Sequence, residues 1–498
     1  MSSVSMKTAK KIGLFAAISV LIGSIIGIGI FFKNGTVFAN NDNNGIGVLI
    51  SWILASVIAL TTAFSFAEIG FNHRDGAGLA GCVGRMYGHK FERFISFNNS
   101  FFYFAILNLS IAIFSAEAIV NIFDNSGSIK MHMGWVMLIA LALIVIFVLF
   151  NYLSLKWSNR FQMATTILKF IPLIMVAVAG IAYGAMHPTA SLFTNGKAGP
   201  LSVNGILSSI PAILFAYDSF LGVASLQGEM ENPKKKVPLT IILGMGICIA
   251  FYLLVTVGQI MVSQGSAYAV FEKVLEHNQK AAYALRVIIS VFILICVLGV
   301  LNSLVLVGLR TYQYSIQYRI FYGYWWFNRF SNKNMKAGML IALLIYGFWW
   351  TVFLIPSAIL NTDAFVDGFS NFPTLFMFAI YGTVILKGWI NRFSKKVHVT
   401  KMPGFIWIAP IAVLGCYLAF GYQFFYFFSI KAFIDPMAIV NWGLFSQGGF
   451  VTRAYMSAIC FFVMIAVFVL TPFINDAFLK LKYNKIDQHK ILSKELLV

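Results

Sequence analysis

Charged residues are scarce along this chain of 498 residues, and acidic residues are the scarcest of them. Asp, Glu, Lys and Arg together make up 11% of the sequence, whereas soluble domains carry about 25%. Hydrophobic residues make up 59%. A chain with so little charge and so much apolar surface could not stay dispersed in water, so the composition excludes an ordinary soluble globular fold.

Motifs for nucleotide hydrolysis and for metal chemistry are also missing. The chain has no GxxxxGK[ST] segment and no HExxH segment, and its seven histidines stand singly. The five cysteines show neither CxxC nor Cys/His spacing, which argues against a zinc site and against a disulfide framework. No paired carboxylates or His/Asp/Glu cluster falls within an apolar run. We therefore expect no enzyme activity, no cofactor and no bound metal.

Apolar runs of about 20 residues recur from end to end of the chain, and each could cross a hydrocarbon core about 30 Å thick. No long polar segment separates them. The sequence thus predicts an all-α integral membrane protein of about twelve transmembrane helices, with membrane lipid as its solvent. The predicted spans cover residues 12–32, 46–70, 94–123, 133–153, 163–184, 202–227, 239–263, 282–309, 337–357, 364–390, 404–427 and 453–476.

The formal net charge of +19 arises from 36 basic and 17 acidic residues. Basic residues that bind nucleic acid form a patch on a soluble face, whereas here they stand in short loops between apolar runs. Most of them fall in one alternating set of loops, which is typical of the cytoplasmic side, and Lys33 counts with the opposite set. We expect a multi-pass protein of the cytoplasmic membrane, cytoplasmic tails at residues 1–11 and 477–498, and no nucleic-acid partner.

Two of the predicted spans contain residues that interrupt helices. The first span has three glycines within seven residues, Gly23, Gly27 and Gly29, and each weakens a helix by up to about 1 kcal/mol relative to Ala. Close helix packing through the first two is an alternative explanation. The sixth span contains Pro211 and Asp218. Interrupted spans at matching places in two halves favour a transporter site built from inverted repeats.

Unwound backbone inside a membrane is costly unless a ligand or a polar cavity satisfies it. Each unpaired N–H or C=O group there costs several kcal/mol, so the freed groups need partners. The positive end of a half-helix can hold a carboxylate, and freed carbonyl groups can hold an ammonium. A zwitterionic amino acid offers both charges at a fixed separation, so two broken helices favour an amino acid as the substrate.

Several motifs in this order resemble those of one family of permeases. Residues 27–31, Gly-Ile-Gly-Ile-Phe, are similar to its G-x-G-I-F motif. Residues 215–218 and 228–238 resemble its F-A-Y segment and the E-x-x-N-P-x-x-x-x-P loop that follows. Asn302-Ser303 and Arg310 match as well. Over most of its first ten spans the chain thus resembles the amino acid–polyamine–organocation family.

The resemblance implies a LeuT-like fold in which the first and sixth helices are broken. Residues 12–184 would form a five-helix repeat, residues 202–390 its inverted counterpart, and residues 404–476 two additional helices. It further implies a secondary transporter that moves an amino acid by alternating access, as proton-coupled symport or exchange, and works as a monomer or homodimer. A polyamine or other organic-amine antiporter and a non-transporting amino acid sensor are the alternatives.

The resemblance also implies which backbone atoms bind the substrate. N–H groups of the first break would receive the carboxylate, carbonyl groups of both breaks would surround the ammonium, and the ring of Phe215 would act as a gate. Because backbone atoms bind the substrate, apolar side chains are compatible with this role. The implied site residues are Ile25, Gly27, Ile28, Gly29, Phe215, Ala216 and Asp218.

Lys169 lies within the fifth span, a few residues from its end. The resemblance places its ammonium where sodium-coupled relatives hold a sodium ion, between spans one, five and eight. Burial favours the neutral amine, so that proton binding and release can be coupled to transport, and sodium is not expected. The alternative is a lysine whose long side chain snorkels to the membrane interface.

Three carboxylates fall in or near the spans. Asp218 lies in the sixth break, where a bare charge in hydrocarbon is expensive, and it is expected to act in function rather than only as a helix N-cap. Glu68 is expected at the cytoplasmic interface. Glu117 is expected to be a satisfied residue of the helix bundle.

Overall fold

The computed structural model describes residues 13–27, 29–69, 78–123, 131–193, 199–218, 220–221, 233–262, 265–330, 335–397, 399, 401–426, 431–439 and 453–483. In this part of the chain the regular structure is helical throughout. Eleven helical stretches are long and apolar enough to cross a membrane, and a shorter apolar helix over Val203–Tyr217 stands at the place of the sixth predicted span. The prediction of an all-α membrane protein is confirmed.

The helices are numbered in chain order. They are α1 Leu14–Ile25, α2 Asn34–Asn40, α3 Gly45–Ile69, α4 Gly78–Tyr87, α5 His89–Asn98, α6 Ala105–Phe123, α7 Met133–Leu153, α8 Leu155–Leu168, α9 Phe170–Met186, α10 Val203–Tyr217, α11 Pro233–Val262, α12 Ala267–Val274, α13 Gln279–Gln317, α14 Tyr324–Asn328, α15 Lys336–Leu360, α16 Ala364–Ser394, α17 Phe405–Phe425, α18 Ala432–Ile434 and α19 Ala454–Tyr483. Two π-helical turns, Gly29–Lys33 and Asn99–Phe104, precede α2 and α6.

The chain divides into two compact units. Unit 1 comprises residues 1–86, 163–299 and 378–420, and unit 2 comprises residues 87–162, 300–377 and 421–498. In unit 1, α3, α9 and α10 pack with α11 and α1. The contact of α9 with α11 is close because Gly180 faces Gly258, where a Cβ on Gly180 would lie 2.3 Å from the Gly258 carbonyl oxygen.

Unit 2 is built around α6, α7 and α15. A buried polar cluster joins three of its helices, since Asn151 of α7 and Ser158 of α8 both donate to the side-chain oxygen of Asn302 at 3.1 Å. On another side, the amide of Asn108 donates to the Tyr346 hydroxyl at 2.9 Å. These bonds satisfy polar groups that lipid could not, and they give Asn302 a structural role.

The first span is longer than the sequence predicts. Its predicted end at residue 32 is wrong, because the helical stretch runs on to Asn40. Lys33 and Asn34, the polar pair that ended the apolar window, are both fully buried. Asn34 accepts from the Trp52 indole N–H at 2.8 Å and donates to Gln259. Partners elsewhere in unit 1 therefore satisfy residues that hydropathy assigns to a loop.

The fifth span contains Lys169 between α8, which ends at Leu168, and α9, which begins at Phe170. The backbone of Lys169 keeps helical angles, with φ −60° and ψ −31°, and its N–H bonds to the Thr165 carbonyl at 3.0 Å. Pro172 follows three residues later and has no N–H to donate to the preceding turn. The helical course of the span therefore continues through Lys169, although one hydrogen bond of the helix is missing at the proline.

Candidate functional site

The first break begins where α1 ends at Ile25. The N–H of Ile26 still bonds to the Ile22 carbonyl at 2.8 Å, but the backbone of Ile26 is extended, with φ −68° and ψ 114°. Helical structure resumes as the π-helical turn Gly29–Lys33. Such π turns are rare and frequent at functional sites. Ile28, to which the resemblance assigns a substrate N–H, lies outside the described residues.

The second break begins where α10 ends at Tyr217. Asp218 is the C-cap of this helix, with an extended backbone at φ −62° and ψ 168° and its N–H bonded to the Phe215 carbonyl at 3.3 Å. Its side chain is buried. Asp218 thus stands at the C-terminus of α10. Residues 222–232, which include the Asn-Pro loop motif, lie outside the described part.

The two breaks touch each other at Gly29 and Ala216. A Cβ added to Gly29 would lie 2.1 Å from the Cβ and 2.3 Å from the Cα of Ala216. Real side-chain atoms do not approach so closely, so this position accepts only glycine unless the backbone moves. The geometry thereby brings together residues that the sequence separates by almost two hundred positions.

One hydroxyl group, that of Tyr252 on α11, lies between the two breaks. It is 3.0 Å from the Ile25 carbonyl oxygen and 3.3 Å from the Ala216 carbonyl oxygen. A phenol has a single O–H to donate, so the two carbonyl groups share it, and each retains capacity for another donor.

Sequence reasoning missed Tyr252. Its segment is a long apolar run, and a single tyrosine there is indistinguishable from a residue of the interfacial aromatic belt. In the structure it is fully buried and packs edge-on against Trp52 at 5.5 Å between ring centroids and beside Tyr217 at 5.2 Å. The Tyr217 hydroxyl is in turn 2.7 Å from the hydroxyl of Ser56. These contacts hold the Tyr252 ring in place.

The electrostatics of the breaks favour a cation at one end and an anion at the other. Helices α1 and α10 both end here, and each helix C-terminus carries a partial negative charge. The Asp218 carboxylate stands at one of these ends. Helical structure starts at Gly29, and the start of a helix carries a partial positive charge that favours an anion. An ammonium near Ile25 and Ala216 and a carboxylate near Gly29 would fit this polarity.

Lys169 meets the first span just before its break. Its side chain has no exposed surface, and its ammonium donates to the Gly23 carbonyl at 2.5 Å. The snorkelling interpretation is therefore wrong. Within the part of the chain that the structure describes, no carboxylate forms an ion pair with this lysine.

Helix α13, the eighth predicted span, also packs next to Lys169. A Cβ on Gly299 would lie 2.6 Å from Thr165 Oγ1 and 3.3 Å from Lys169 Cε. Lys169 therefore lies among spans one, five and eight of unit 1. This is the arrangement of spans that the resemblance implies for it.

Among the described residues of unit 1, Lys33 is, like Lys169, a lysine with no exposed surface. Its ammonium lies over the ring of Phe215, 4.8 Å from the ring centroid. Hydropathy does not predict this contact, because the lysine follows the apolar window and counts with the outer loops. The expectation that it is a loop residue is wrong.

Glu68 and Glu117 are both buried. Glu68 is buried at the end of α3 and forms an ion pair with Arg392 at 3.0 Å. Its second oxygen accepts the backbone N–H of Met402 at 2.6 Å, which ties α3, α16 and the start of α17 within unit 1. Glu117 is buried in α6 of unit 2. All five cysteines are buried and none forms a disulfide.

Comparison with known proteins places this geometry in a family. Residues 12–445 match the family described as amino acid permease. The chain is 27% identical to the serine/threonine exchanger SteT of Bacillus subtilis over 60% of its own length and 66% of the exchanger's. It is 25% identical to the b(0,+)-type amino acid transporter 1 of Mus musculus, over 82% of this chain and 83% of that one.

The fold has a solved counterpart. The crystal structure of MhsT in complex with L-phenylalanine matches 81% of this chain and 98% of its own with a TM-score of 0.55, at 12% sequence identity. This likeness shows the LeuT-like fold. The family match covers most of the chain, including both broken spans, and the two relatives named above are a serine/threonine exchanger and an amino acid transporter. The protein therefore belongs to the amino acid permease family and is a membrane transporter, not an enzyme.

Proposed function

We propose that this protein binds one zwitterionic amino acid at the two breaks and carries it across the cytoplasmic membrane by alternating access. The observation that carries the proposal is the meeting of both breaks around one hydroxyl. The ends of α1 and α10 lie within hydrogen-bond distance of Tyr252, and Gly29 touches Ala216. Two helix C-termini and one helical start then offer opposite partial charges over the length of an amino acid.

Backbone groups supply most of the binding. The substrate carboxylate accepts from the N–H groups of Ile28 and Gly29. The ammonium donates to the Ile25 carbonyl and to carbonyl groups of the sixth break, with the ring of Phe215 as a gate. The residues of the sixth break that take part are Phe215, Ala216 and Asp218. Before substrate arrives, Tyr252 occupies part of the hydrogen-bonding capacity of these carbonyl groups.

Coupling depends on Lys169. A buried ammonium bonded to the Gly23 carbonyl links the start of the break to the fifth span, as a bound cation would. Loss of its proton would weaken that link, so proton binding and release can be tied to movement of the first span. We infer proton-coupled symport or amino acid exchange that needs no sodium ion and no other cofactor.

The membrane setting follows from the loops. The excess of Lys and Arg in one set of loops supports a cytoplasmic location for both termini, and removal of Lys33 from the outer set strengthens that asymmetry. The transporter works as a monomer or homodimer in membrane lipid.

Counterflow in liposomes tests the proposal. Purified protein is reconstituted with unlabelled amino acids inside, and uptake of labelled serine, threonine, leucine or phenylalanine is followed in sodium-free buffer. We expect transient accumulation of at least one of them. Binding without counterflow would instead identify a sensor, counterflow of diamines alone would identify an organic-amine antiporter, and an absolute need for sodium would refute the role of Lys169.

A further inference from the structure

A lysine, Lys33, lies inside the first span on the C-terminal side of the break. Lys33 ends the π-helical turn that begins at Gly29, and its side chain has no exposed surface. Lysine is among the residues least often fully buried. A membrane span that keeps such a residue within it favours a role in function over a role in packing.

The ammonium of Lys33 is close to both ends of the proposed substrate. Gly29, whose N–H is assigned to the carboxylate, lies one π-helical turn before it. Phe215, whose ring faces the ammonium at 4.8 Å, directly precedes Ala216 at the other break. The charge therefore lies beside the proposed substrate site, and salt screens buried charges less than exposed ones.

The aromatic contact also affects what the gate can bind. The face of a phenyl ring attracts cations because of its quadrupole, and an open Phe215 ring would thus favour positively charged substrates. In this protein Lys33 uses one face of the ring. A second cation near the ring would gain less from the quadrupole and would be repelled by the first.

We propose that Lys33 is a specificity-determining residue that makes the transporter reject substrates with a net positive charge. The inference rests on the substrate site proposed above and names its substrate class: zwitterionic amino acids with uncharged side chains. Cationic amino acids and diamines are excluded because they bring an extra ammonium toward a buried one. The substrate's own α-ammonium is balanced by its carboxylate and by the two helix C-termini.

Pairs of amino acids that match in shape and differ in charge test this directly. Arginine and citrulline form one pair, and 2,4-diaminobutyrate and homoserine form a shorter one for a small pocket. Each is used to compete with counterflow of the labelled neutral amino acid that the wild-type protein transports. We expect each neutral member to compete at a concentration at least about tenfold lower than its cationic partner. Tenfold corresponds to about 1.4 kcal/mol, the scale for two unit charges about 10 Å apart at an effective dielectric constant of about 20.

Two substitutions then assign the discrimination to this side chain. Lys33→Met removes the charge and keeps an unbranched side chain, and we expect it to reduce the neutral-to-cationic ratio at least about fivefold. Lys33→Arg keeps the charge and should keep the ratio. The ratio is the readout, so a change in the absolute transport rate does not affect the conclusion.

Two results would overturn the inference. One is equal competition by the two members of each pair in the wild-type protein, a measurement that does not depend on the folding of any variant. Failure of both neutral members to compete would also contradict the inference. The other is an unchanged ratio in Lys33→Met. Since the assay begins from wild-type counterflow of a neutral amino acid, these outcomes would leave the proposed transport function standing, whereas absence of that counterflow would refute the transport function itself.

Discussion

Two fully buried lysines lie on opposite sides of the break in the first span. Lys169, on the N-terminal side, donates to a backbone carbonyl of the span itself, at Gly23. Lys33, on the C-terminal side, belongs to the span and lies over the Phe215 ring. Both have the same charge and the same burial. They differ in what holds them, and therefore in what each can contribute.

Because of this difference, we assign to Lys169 a role in linking the first and fifth spans and to Lys33 a role in discriminating against cationic substrates. A hydrogen bond to Gly23 joins two helices and is weakened when the amine loses its proton. The ammonium of Lys33 lies over an aromatic face, where the ring quadrupole attracts it, and its charge acts on nearby groups through its electric field. The role of a buried lysine in a membrane protein therefore depends on the groups that it contacts and cannot be inferred from its burial alone.

We expect the largest effect from a substitution at Gly29, in the break that lies between the two lysines. Gly29→Ala should reduce counterflow of every substrate at least about 100-fold, which is about 2.7 kcal/mol, because its Cβ would meet Ala216 at 2.1 Å. Gly35→Ala is the matched control, since a Cβ there has no atom within 4 Å. Size-exclusion chromatography checks that both variants fold. Near-normal counterflow by Gly29→Ala would contradict the contact between the two breaks.

The next test separates the two lysines. Lys169→Met should abolish uptake driven by a pH gradient while amino acid exchange persists, because the variant keeps the packing of the side chain and loses its titrating group. Lys156→Met, at an exposed lysine of α8, should leave both activities unchanged. Uptake is measured with an acidic outside in sodium-free buffer. Undiminished gradient-driven uptake would show that the linking role is wrong.

A substitution at Asp218 tests whether a carboxylate at the second break contributes to binding of the substrate ammonium. If its carboxylate takes part in binding the ammonium, Asp218→Asn should weaken substrate binding about 10- to 150-fold, the effect of losing a charge-assisted hydrogen bond of roughly 1.5–3 kcal/mol. If only the backbone carbonyl acts, Asn should bind nearly as well. Isothermal titration decides between the two, and a dissociation constant within about threefold of wild type would remove the carboxylate from the mechanism.

A substitution at Gly299 changes the packing around Lys169 and leaves the lysine side chain itself unaltered. Gly299→Ala places a Cβ 2.6 Å from Thr165 Oγ1 and beside Lys169, and overpacking of this kind costs about 1–3 kcal/mol. We expect gradient-driven uptake to fall by about fivefold or more while exchange falls less. Gly246→Ala, which meets no atom within 4 Å, is the control. Equal loss of both activities would indicate general destabilisation instead.

The smallest expected effect concerns the hydroxyl between the breaks. Tyr252→Phe keeps the ring and its contacts with Trp52 and removes one shared hydrogen bond, which is worth about 0.5–1.5 kcal/mol, or about two- to thirteenfold in affinity. Tyr217→Phe, which loses a bond to Ser56 and not to a break carbonyl, is the matched comparison. An equal effect of both variants would remove Tyr252 from the site.

Much of the fold could be predicted because apolar periodicity and length decide what crosses a membrane. The placement of Met133–Leu153 was predicted to the residue, and Gly45–Ile69 to within one. The end of the first span could not be predicted, since the partners of Asn34 lie at Trp52 and Gln259. A hydropathy window sees only neighbours in the chain and therefore treats such a residue as exposed.

The substrate roles of the predicted site residues remain predictions, although the structure brings Ile25, Gly29 and Ala216 together as the motifs imply. Tyr252 and Gly299 could not be found from the sequence. Their importance depends on which atoms approach across 36 to more than 200 positions of chain. Nothing in the local composition of α11 or α13 distinguishes them from other apolar segments.

The sequence by itself determined that the protein lives in a membrane, that its first and sixth spans are interrupted, and which family its motifs resemble. These properties depend on local composition and short motifs, which the chain carries whatever its partners. Only the tertiary structure decided that Lys169 bonds to Gly23, that Lys33 is inside the span over Phe215, and that one tyrosine hydroxyl bridges both breaks. The environment of a buried charge is set by atoms distant in sequence, because in lipid each polar group must find its partner within the protein.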